Sequence, residues 1–429
     1  MNEPEEKISS RKREESFYMA NDGQNHIATP ASTTKRIGEL DLIRGMALLG
    51  ILIANMQIFS YPYLYTSIID AGWWQNAWDQ TALWFIYLFV EQKFFTIFSF
   101  LFGLGFMIFL QRAKHKTDRP IRLYVRRLLF LFVLGLIHTY LIWSGDILLP
   151  YALLGFLLIF FYHKSAKTML TWAVGLLVAS CLFMIIQTFL FDNFMAARAP
   201  SVLVIENLIQ DSVHAYSQGT YMDMLIQRLL DSDFGMEFNI FMMPMILAMF
   251  LFGAYAGKKE LFRNLNQHRT GIKKMWRWSF IIGTVFLIVQ VVLRTQVDAQ
   301  NSGYNMAHII GVLISAPALC FFYITSVLLL LQRDIWQRLL RPLKAVGRMA
   351  LTNYLLQTVV CTLIFYSYGF GMYGKLGPAL GVVLAFIIFG IQIIASNLWL
   401  KHFKFGPMEW IWRSFTYKGV FAKTLEKED

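Results

Sequence analysis

Polar residues in this chain gather in short clusters, and long apolar runs separate them. Ten such runs stand out, at residues 42–60, 81–110, 123–142, 147–163, 168–191, 238–257, 276–294, 308–331, 347–367 and 378–400. A helix needs about 20 apolar residues to cross a bilayer, so the pattern predicts an all-α polytopic membrane bundle of about ten spans. The second run is too long for one crossing. Glu91-Gln92-Lys93 divides it into an apolar ten and the stretch Phe94–Leu110. Pro244 and Pro317 lie inside the sixth and eighth runs, where each frees a backbone carbonyl, and they read as packed kinks.

The first run organises the rest. Wound as a helix, Leu40–Ser60 places Asp41, Arg44, Leu48, Leu52 and Asn55 along one face, with Ala47, Gly50 and Ala54 opposite. Small residues let a neighbouring helix approach closely. An arginine at membrane depth belongs in a bundle interior, so the polar face predicts the wall of a cavity.

Charge fixes the orientation. The 429 residues are 56% hydrophobic and 15% charged, with a net charge of +12. That excess is distributed by loop and forms no basic patch, which argues against nucleic acid as a partner and for the lipid bilayer. With the N-terminus inside, 34 of the 39 Lys and Arg fall in cytoplasmic segments. The odd ones out are Lys93 within a span and Arg198, Arg228, Arg294 and Lys375 outside. Both termini are therefore expected in the cytoplasm. The domain reading is a disordered tail over 1–36, a single transmembrane domain over 37–403, and an interfacial helix and tail over 404–429. Trp410, Trp412 and Arg413 suit the headgroup layer. The outer segment 192–237 carries seven acidic residues, and Leu203, Ile205, Ile209 and Val213 recur at helical spacing. It reads as a helix over the bundle, either a lid or a solvated loop. Cys181, Cys320 and Cys361 sit in apolar runs as small core residues, with no CxxC pair.

Candidate chemistry is sparse. His138 lies near the outer end of the third span, and Trp143-Ser144-Gly145-Asp146 turns the chain into the fourth. An imidazole inside a span can exchange a proton near neutral pH, or it can simply hydrogen-bond a neighbouring helix. Asp146 stands where a helix N-cap is wanted and within reach of orienting that ring. Glu91 and Lys93 fall at about the depth of His138, as a second catalytic or substrate-binding pair or as an ion pair. On the inner side Arg44 and Arg348 begin spans, and Arg122, Arg126 and Arg127 lead into the third. Such a ring suits the phosphates of a cytoplasmic donor, and equally suits topology or anionic lipid. No HExxH, Walker A or GxSxG motif is present, no metal site is expected, and Gly103-Leu104-Gly105 with Ser99 reads as a packing seam.

Five blocks carry a resemblance: LDLIRGMALLGILIANM, KFFTIFSFLFGLGF, GLIHTYLIWSGDILLPYALLG, GRMALTNYLLQT and FKFGPMEWIWRSFTY. Together they resemble the YeiB-like family of bacterial membrane proteins, which defines domain of unknown function 418, over nearly the whole chain after residue 36. The resemblance implies a multi-pass protein of the bacterial cytoplasmic membrane, and that family is loosely described as involved in transport. The LDxxRGxA opening is also similar to that of transmembrane acyltransferases. That similarity implies passage of an acyl group from cytoplasmic acyl-CoA, a co-substrate and not a bound cofactor, to an acceptor across the membrane. Heparan-type members use a histidine in the outer loop after the first span. Tyr61–Gln80 holds none here, so His138 would serve from a different helix. In that mechanism His138 is the base, Asp146 or Glu91 orients it, and Arg44 and Arg348 hold the donor. Asp41, Asn55 and Lys93 line the small-molecule site. The competing reading is a transporter in which Glu91, Lys93 and the broken helices mark the route.

Overall fold

A computed structural model describes residues 37–417, apart from 70–71, 116, 191–200, 264, 266 and 297–301. The expected tail over 1–36 and the end of the chain beyond 417 lie outside the described residues. The described residues are helical, as a chain must be where lipid offers backbone groups no partner.

Fourteen helices carry the architecture: α1 Gly38–Ser60, α2 Ala77–Phe85, α3 Lys93–Lys114, α4 Pro120–Ile137, α5 Leu148–Leu158, α6 Ala166–Leu190, α7 Val202–Gln218, α8 Tyr221–Lys258, α9 Arg269–Gln296, α10 Ser302–Leu330, α11 Leu343–Arg348, α12 Ala350–Phe365, α13 Pro378–His402 and α14 Pro407–Thr416. Among the described residues seven helical stretches are long and apolar enough to cross a membrane. Three shorter apolar helices, Leu148–Phe161, Met242–Lys258 and Ala350–Phe365, fall on the remaining expected runs. At 1.5 Å per residue Leu148–Phe161 and Ala350–Phe365 reach only about 21–24 Å, short of the ~30 Å hydrocarbon core, whereas Met242–Lys258 is the end of the continuous α8. For α5 the deficit is made up by the non-helical turn before it, whose Trp143 is fully buried and stacks on Phe59 at 4.0 Å. Irregular backbone is tolerated at that depth because protein, not lipid, surrounds it.

The expected centre is the observed one. Two-thirds of α1 (67%) is buried, against 17% of α9, which faces outward with α6. Close approach to α1 depends on missing side chains: a Cβ on Gly347 of α11 would strike the Asp41 carbonyl oxygen. A second seam joins α3 to α8, where Cβ atoms on Gly103 and Gly253 would meet the Phe250 and Phe100 carbonyls. Gly103 thus has its expected packing role, whereas Gly105 faces Arg44.

The broken second span is also real. Helix α2 runs into a π-turn, Ile86–Val90, and the chain then reverses its twist at Gln92 (φ 64°) before α3 begins. Pro244 and Pro317 sit inside continuous helices. Over the outer segment α7 starts from a Ser201 cap and buries Ile205 and Ile209 against Tyr65, leaving Leu203 exposed. Helix α8 then opens with a Thr220–Asp223 capping box. Cys320 and Cys361 are buried, Cys181 is half-buried, and all three are free thiols.

Candidate functional site

The polar face of α1 opens on a cavity of about 350 Å³ walled by α3, α4, α5, α12 and α14. One end of it is basic. Among the described residues, Arg44, Arg112, Arg127, Arg348 and Arg413 line that end together with two carboxylates, Asp41 and Glu409. Four of these cations are held by contacts to neighbouring groups. Arg44 lies 3.3 Å from Asp41, one turn away on α1. The Arg127 guanidinium is clamped between the Phe109 and Trp412 rings, at 4.7 and 4.1 Å from their centres. Trp412 Nε1 donates to the Arg127 carbonyl (3.0 Å), which ties α14 to α4. Arg413 lies over Phe405, and Arg348 donates to the Lys404 carbonyl (3.2 Å).

Glu409 is already engaged. Its carboxylate accepts from the Leu351 and Thr352 backbone N–H groups, at 2.7 and 3.1 Å, and from Thr352 Oγ1 (2.6 Å). It caps the N-terminus of α12 from another helix and complements that helix's dipole. Among the described residues, five guanidinium groups and two carboxylates line this end of the volume, an arginine-rich setting of the kind that suits an anion. Beyond them the walls turn apolar through Leu48, Phe102, Leu128 and Leu131. The hydroxyl of Tyr124, also on this wall, is buried and finds no hydrogen-bond partner among the described residues.

The apolar part ends at Tyr151 and Tyr354. Tyr151 Oη is satisfied by Ser99 (2.6 Å) and the Phe95 carbonyl (3.0 Å). Behind Tyr354, away from the basic end, lies a closed polar knot. His138 Nδ1 sits 2.8 Å from Asp146 Oδ1, and both side chains are fully buried. The separation is that of an ion pair, although the ring N–H does not point along the line to the oxygen. His138 Nε2 lies 3.1 Å from Thr358 Oγ1. Tyr354 Oη and Thr139 Oγ1 donate to Asp146 at 3.3 and 3.2 Å, and the Leu149 N–H donates at 2.9 Å. Asp146 therefore does both expected jobs: one oxygen caps the first turn of α5 and the other faces the imidazole. His138 begins a π-turn, His138–Ile142, that ends α4. Such turns are rare and concentrate at functional sites.

The other expected site residues divide. Asp41, Arg44 and Arg348 line the cavity with each other. Asn55 does not, since the cavity's contact with α1 stops at Ile51. Glu91 and Lys93 are not at His138 and do not pair with each other. The left-handed turn at Gln92 separates them. Glu91 accepts from Tyr63 Oη (3.0 Å), and the buried Lys93 ammonium donates to the Tyr87 carbonyl (2.6 Å), a carbonyl of the other π-turn. Arg122 and Arg126 do not line the cavity; Arg127 alone of that trio does.

Comparison with known proteins decides the family. A family model described as "Protein of unknown function (DUF418)" matches residues 256–419. "Uncharacterized protein YxaH" of Bacillus subtilis (strain 168) is 40% identical over 403 residues, covering 90% of this chain and 96% of that protein. The chain belongs to the YeiB-like DUF418 family. "Uncharacterized protein YeiB" of Escherichia coli (strain K12) is 29% identical over 406 residues, 89% of this chain and 96% of the relative. A Bacillus acidopullulyticus relative, "Uncharacterized 39.9 kDa protein in amylase 3'region", is 32% identical over 93% of this chain and 99% of its own length. No solved structure matches.

The segment matched by the DUF418 model supplies α11, α12 and α14, with Arg348, Tyr354, Thr358, Glu409 and Arg413. The His138–Asp146 turn and Arg44 lie before it, in the part shared with full-length relatives. Both halves of this family member are needed to close the cavity. Sequence reasoning missed Tyr354, Thr358 and Tyr151 and took Trp412 and Arg413 for membrane anchors alone. A helical wheel of α12 offered the available signal: Tyr354 and Thr358 are one turn apart, on a polar face shared with Asn353, Gln357 and Thr362.

Proposed function

We propose that this multi-pass membrane protein passes an acyl group from an acyl-CoA on the basic, cytoplasmic side to an acceptor hydroxyl reached from the opposite side of the cytoplasmic membrane. One observation carries the reading: an arginine-rimmed, apolar-walled cavity ends against Tyr354, and a buried His138–Asp146 pair stands directly behind it. The positive-inside rule assigns the arginine end to the cytoplasm.

In this reading Arg44 and Arg348 orient the donor, and its pantetheine arm lies along Leu48, Leu128 and Leu131 with the thioester near Tyr354. Ionised Asp146 holds the proton on Nδ1 and leaves Nε2 basic. The acceptor oxygen attacks the thioester carbon as its proton passes through Thr358 Oγ1 to Nε2. The C–S bond then breaks, and the sulfur leaves as a thiol with the proton taken up by His138. Products are an ester and free coenzyme A. The test is turnover of a set of acyl-CoAs by the full chain in nanodiscs, beside His138→Gln and Asp146→Asn. Loss of turnover in folded variants is expected, and turnover at the wild-type rate in His138→Gln refutes the mechanism.

A second reading, a transporter of a small solute, is favoured by the interrupted second span, where Lys93 is buried against a π-turn carbonyl. Solute accumulation in proteoliposomes without acyl-CoA consumption would select it.

A further inference from the structure

Beside the arginine-rimmed cavity lies a second, wider cleft of about 930 Å³, within the ~300–1,000 Å³ of typical ligand sites. It is built from three loops at the basic end: the one joining α3 to α4, the one after α5, and the one after α8. The two volumes are neighbours. Ile37, Ile108 and Arg112 line both, so a ligand passing Arg112 can occupy the two together.

Their chemistries differ. The cavity is apolar beyond its arginines, whereas the cleft carries Lys114, Lys258 and Arg263, the carboxylates Asp118 and Glu260, and the rings of Tyr162 and His163. Arg263 is paired with Glu260 at 2.6 Å, and Lys258 donates to the Lys164 carbonyl. Tyr162 and His163 meet edge to face, with ring centres 4.6 Å apart, leaving flat aromatic surface beside the cations. A simple lipid phosphate has nothing to place here. Its headgroup would stop at the cavity rim and leave the cations and rings of the cleft unused.

We infer that the cleft receives the phosphorylated nucleoside end of the donor, with its base against Tyr162 and His163 and its phosphates between Lys114, Arg263 and Arg112, while the thioester arm enters the cavity past Arg112. The inference rests on the acyl-transfer reading and specifies its donor: a nucleotide-bearing thioester rather than a lipid. Phosphates recognised by exposed cations are screened by salt, so affinity for the nucleotide end falls as ionic strength rises.

The test uses the full chain in phosphatidylcholine nanodiscs and two probes, coenzyme A without an acyl group and decyl phosphate without a nucleotide. Lys114 and Arg263 are exposed, so Lys114→Ala with Arg263→Ala leaves the bundle intact. The paired variant is expected to bind coenzyme A roughly tenfold or more weakly, as loss of charge-assisted bonds implies, and decyl phosphate within about twofold of wild type. Arg44→Ala is expected to weaken decyl phosphate. Unchanged coenzyme A affinity in the paired variant overturns the inference. If acyl-CoA turnover meanwhile persists with an unaltered KM, only the nucleotide position is wrong and acyl transfer stands. A folded wild type that neither binds nor turns over acyl-CoA removes both.

Discussion

Replacing Asp146 by Asn tests the polar knot at its centre. Three donors converge on this carboxylate, Tyr354 Oη at Oδ1 and Leu149 N and Thr139 Oγ1 at Oδ2, and His138 Nδ1 lies 2.8 Å from Oδ1. A carboxylate accepts from all of them, but an amide has one accepting and one donating edge. The Leu149 backbone N–H can never become an acceptor, so the amide oxygen must stay with it and the NH2 must face His138. The imidazole can comply by moving its proton from Nδ1 to Nε2. Nε2–H then donates to Thr358, whose own hydroxyl proton turns to the Tyr354 carbonyl, 3.3 Å away. The imidazole and Thr358 keep partners while the Tyr354 hydroxyl loses the Oδ1 acceptor, so the stability loss is about 1–3 kcal/mol. Asp146→Ala strands the buried ring and costs about 3–5 kcal/mol. Function responds in the opposite proportion. The Asn variant holds Nε2 protonated and loses a factor of about 10²–10⁴ in turnover while remaining folded. Thermal unfolding and acyl-CoA turnover on the same nanodisc sample measure the two effects, and the ¹⁵N shifts of the His138 ring report the tautomer. An Asn variant with wild-type turnover refutes the reasoning, as does an Ala variant no less stable than Asn.

Three further outcomes follow from geometry alone. Glu409→Gln should weaken the cap on α12 by about 1 kcal/mol and loosen α14, read as faster proteolysis within 404–417; proteolysis at the wild-type rate would show that α14 is held without the cap. Gly347→Ala drives a methyl into the Asp41 carbonyl and should lower stability by about 1–3 kcal/mol, while the same change at the open Gly175 should have little effect; equal unfolding midpoints would contradict the seam. Burial pushes the Asp231 carboxyl upward despite hydrogen bonds from Tyr216, Tyr65 and Gln227. The folded state then binds that proton more tightly than the unfolded chain, so this group favours folding at low pH and its contribution is lost as pH rises through the folded value. Wild-type stability relative to Asp231→Asn should therefore fall between acid and neutral pH, and a relative rise would reverse the assignment.

Sequence made the spans legible because lipid imposes one pattern on any helix that crosses it, and the ten apolar runs reappear as seven long helices and three shorter ones. It also made Asp41, Arg44 and Leu48 legible, since a single helix fixes which residues share a face. The same periodicity misplaced Asn55, because a face continues along a helix whether or not the cavity beside it does. His138 and Asp146 were readable as a pair because one turn joins them. Tyr354 and Thr358 reach that turn from 208 and 220 positions away, and no local pattern encodes such a meeting. Glu91 and Lys93 looked paired because spacing was the only guide; the left-handed residue between them was not visible in composition. Trp412 and Arg413 have the amphipathic signature of an anchor, and that signature is silent about what the helix covers.

The cavity's rim is drawn from the two extremities of the described chain: Ile37–Arg44 at one and Phe405–Tyr417 at the other. During synthesis the first of these is in the membrane long before the second exists. At about 5–20 residues per second the interval is on the order of 20–75 s. The rim can therefore close only when synthesis is almost complete, as α14 reaches α4 through Trp412 and Glu409 reaches the free end of α12.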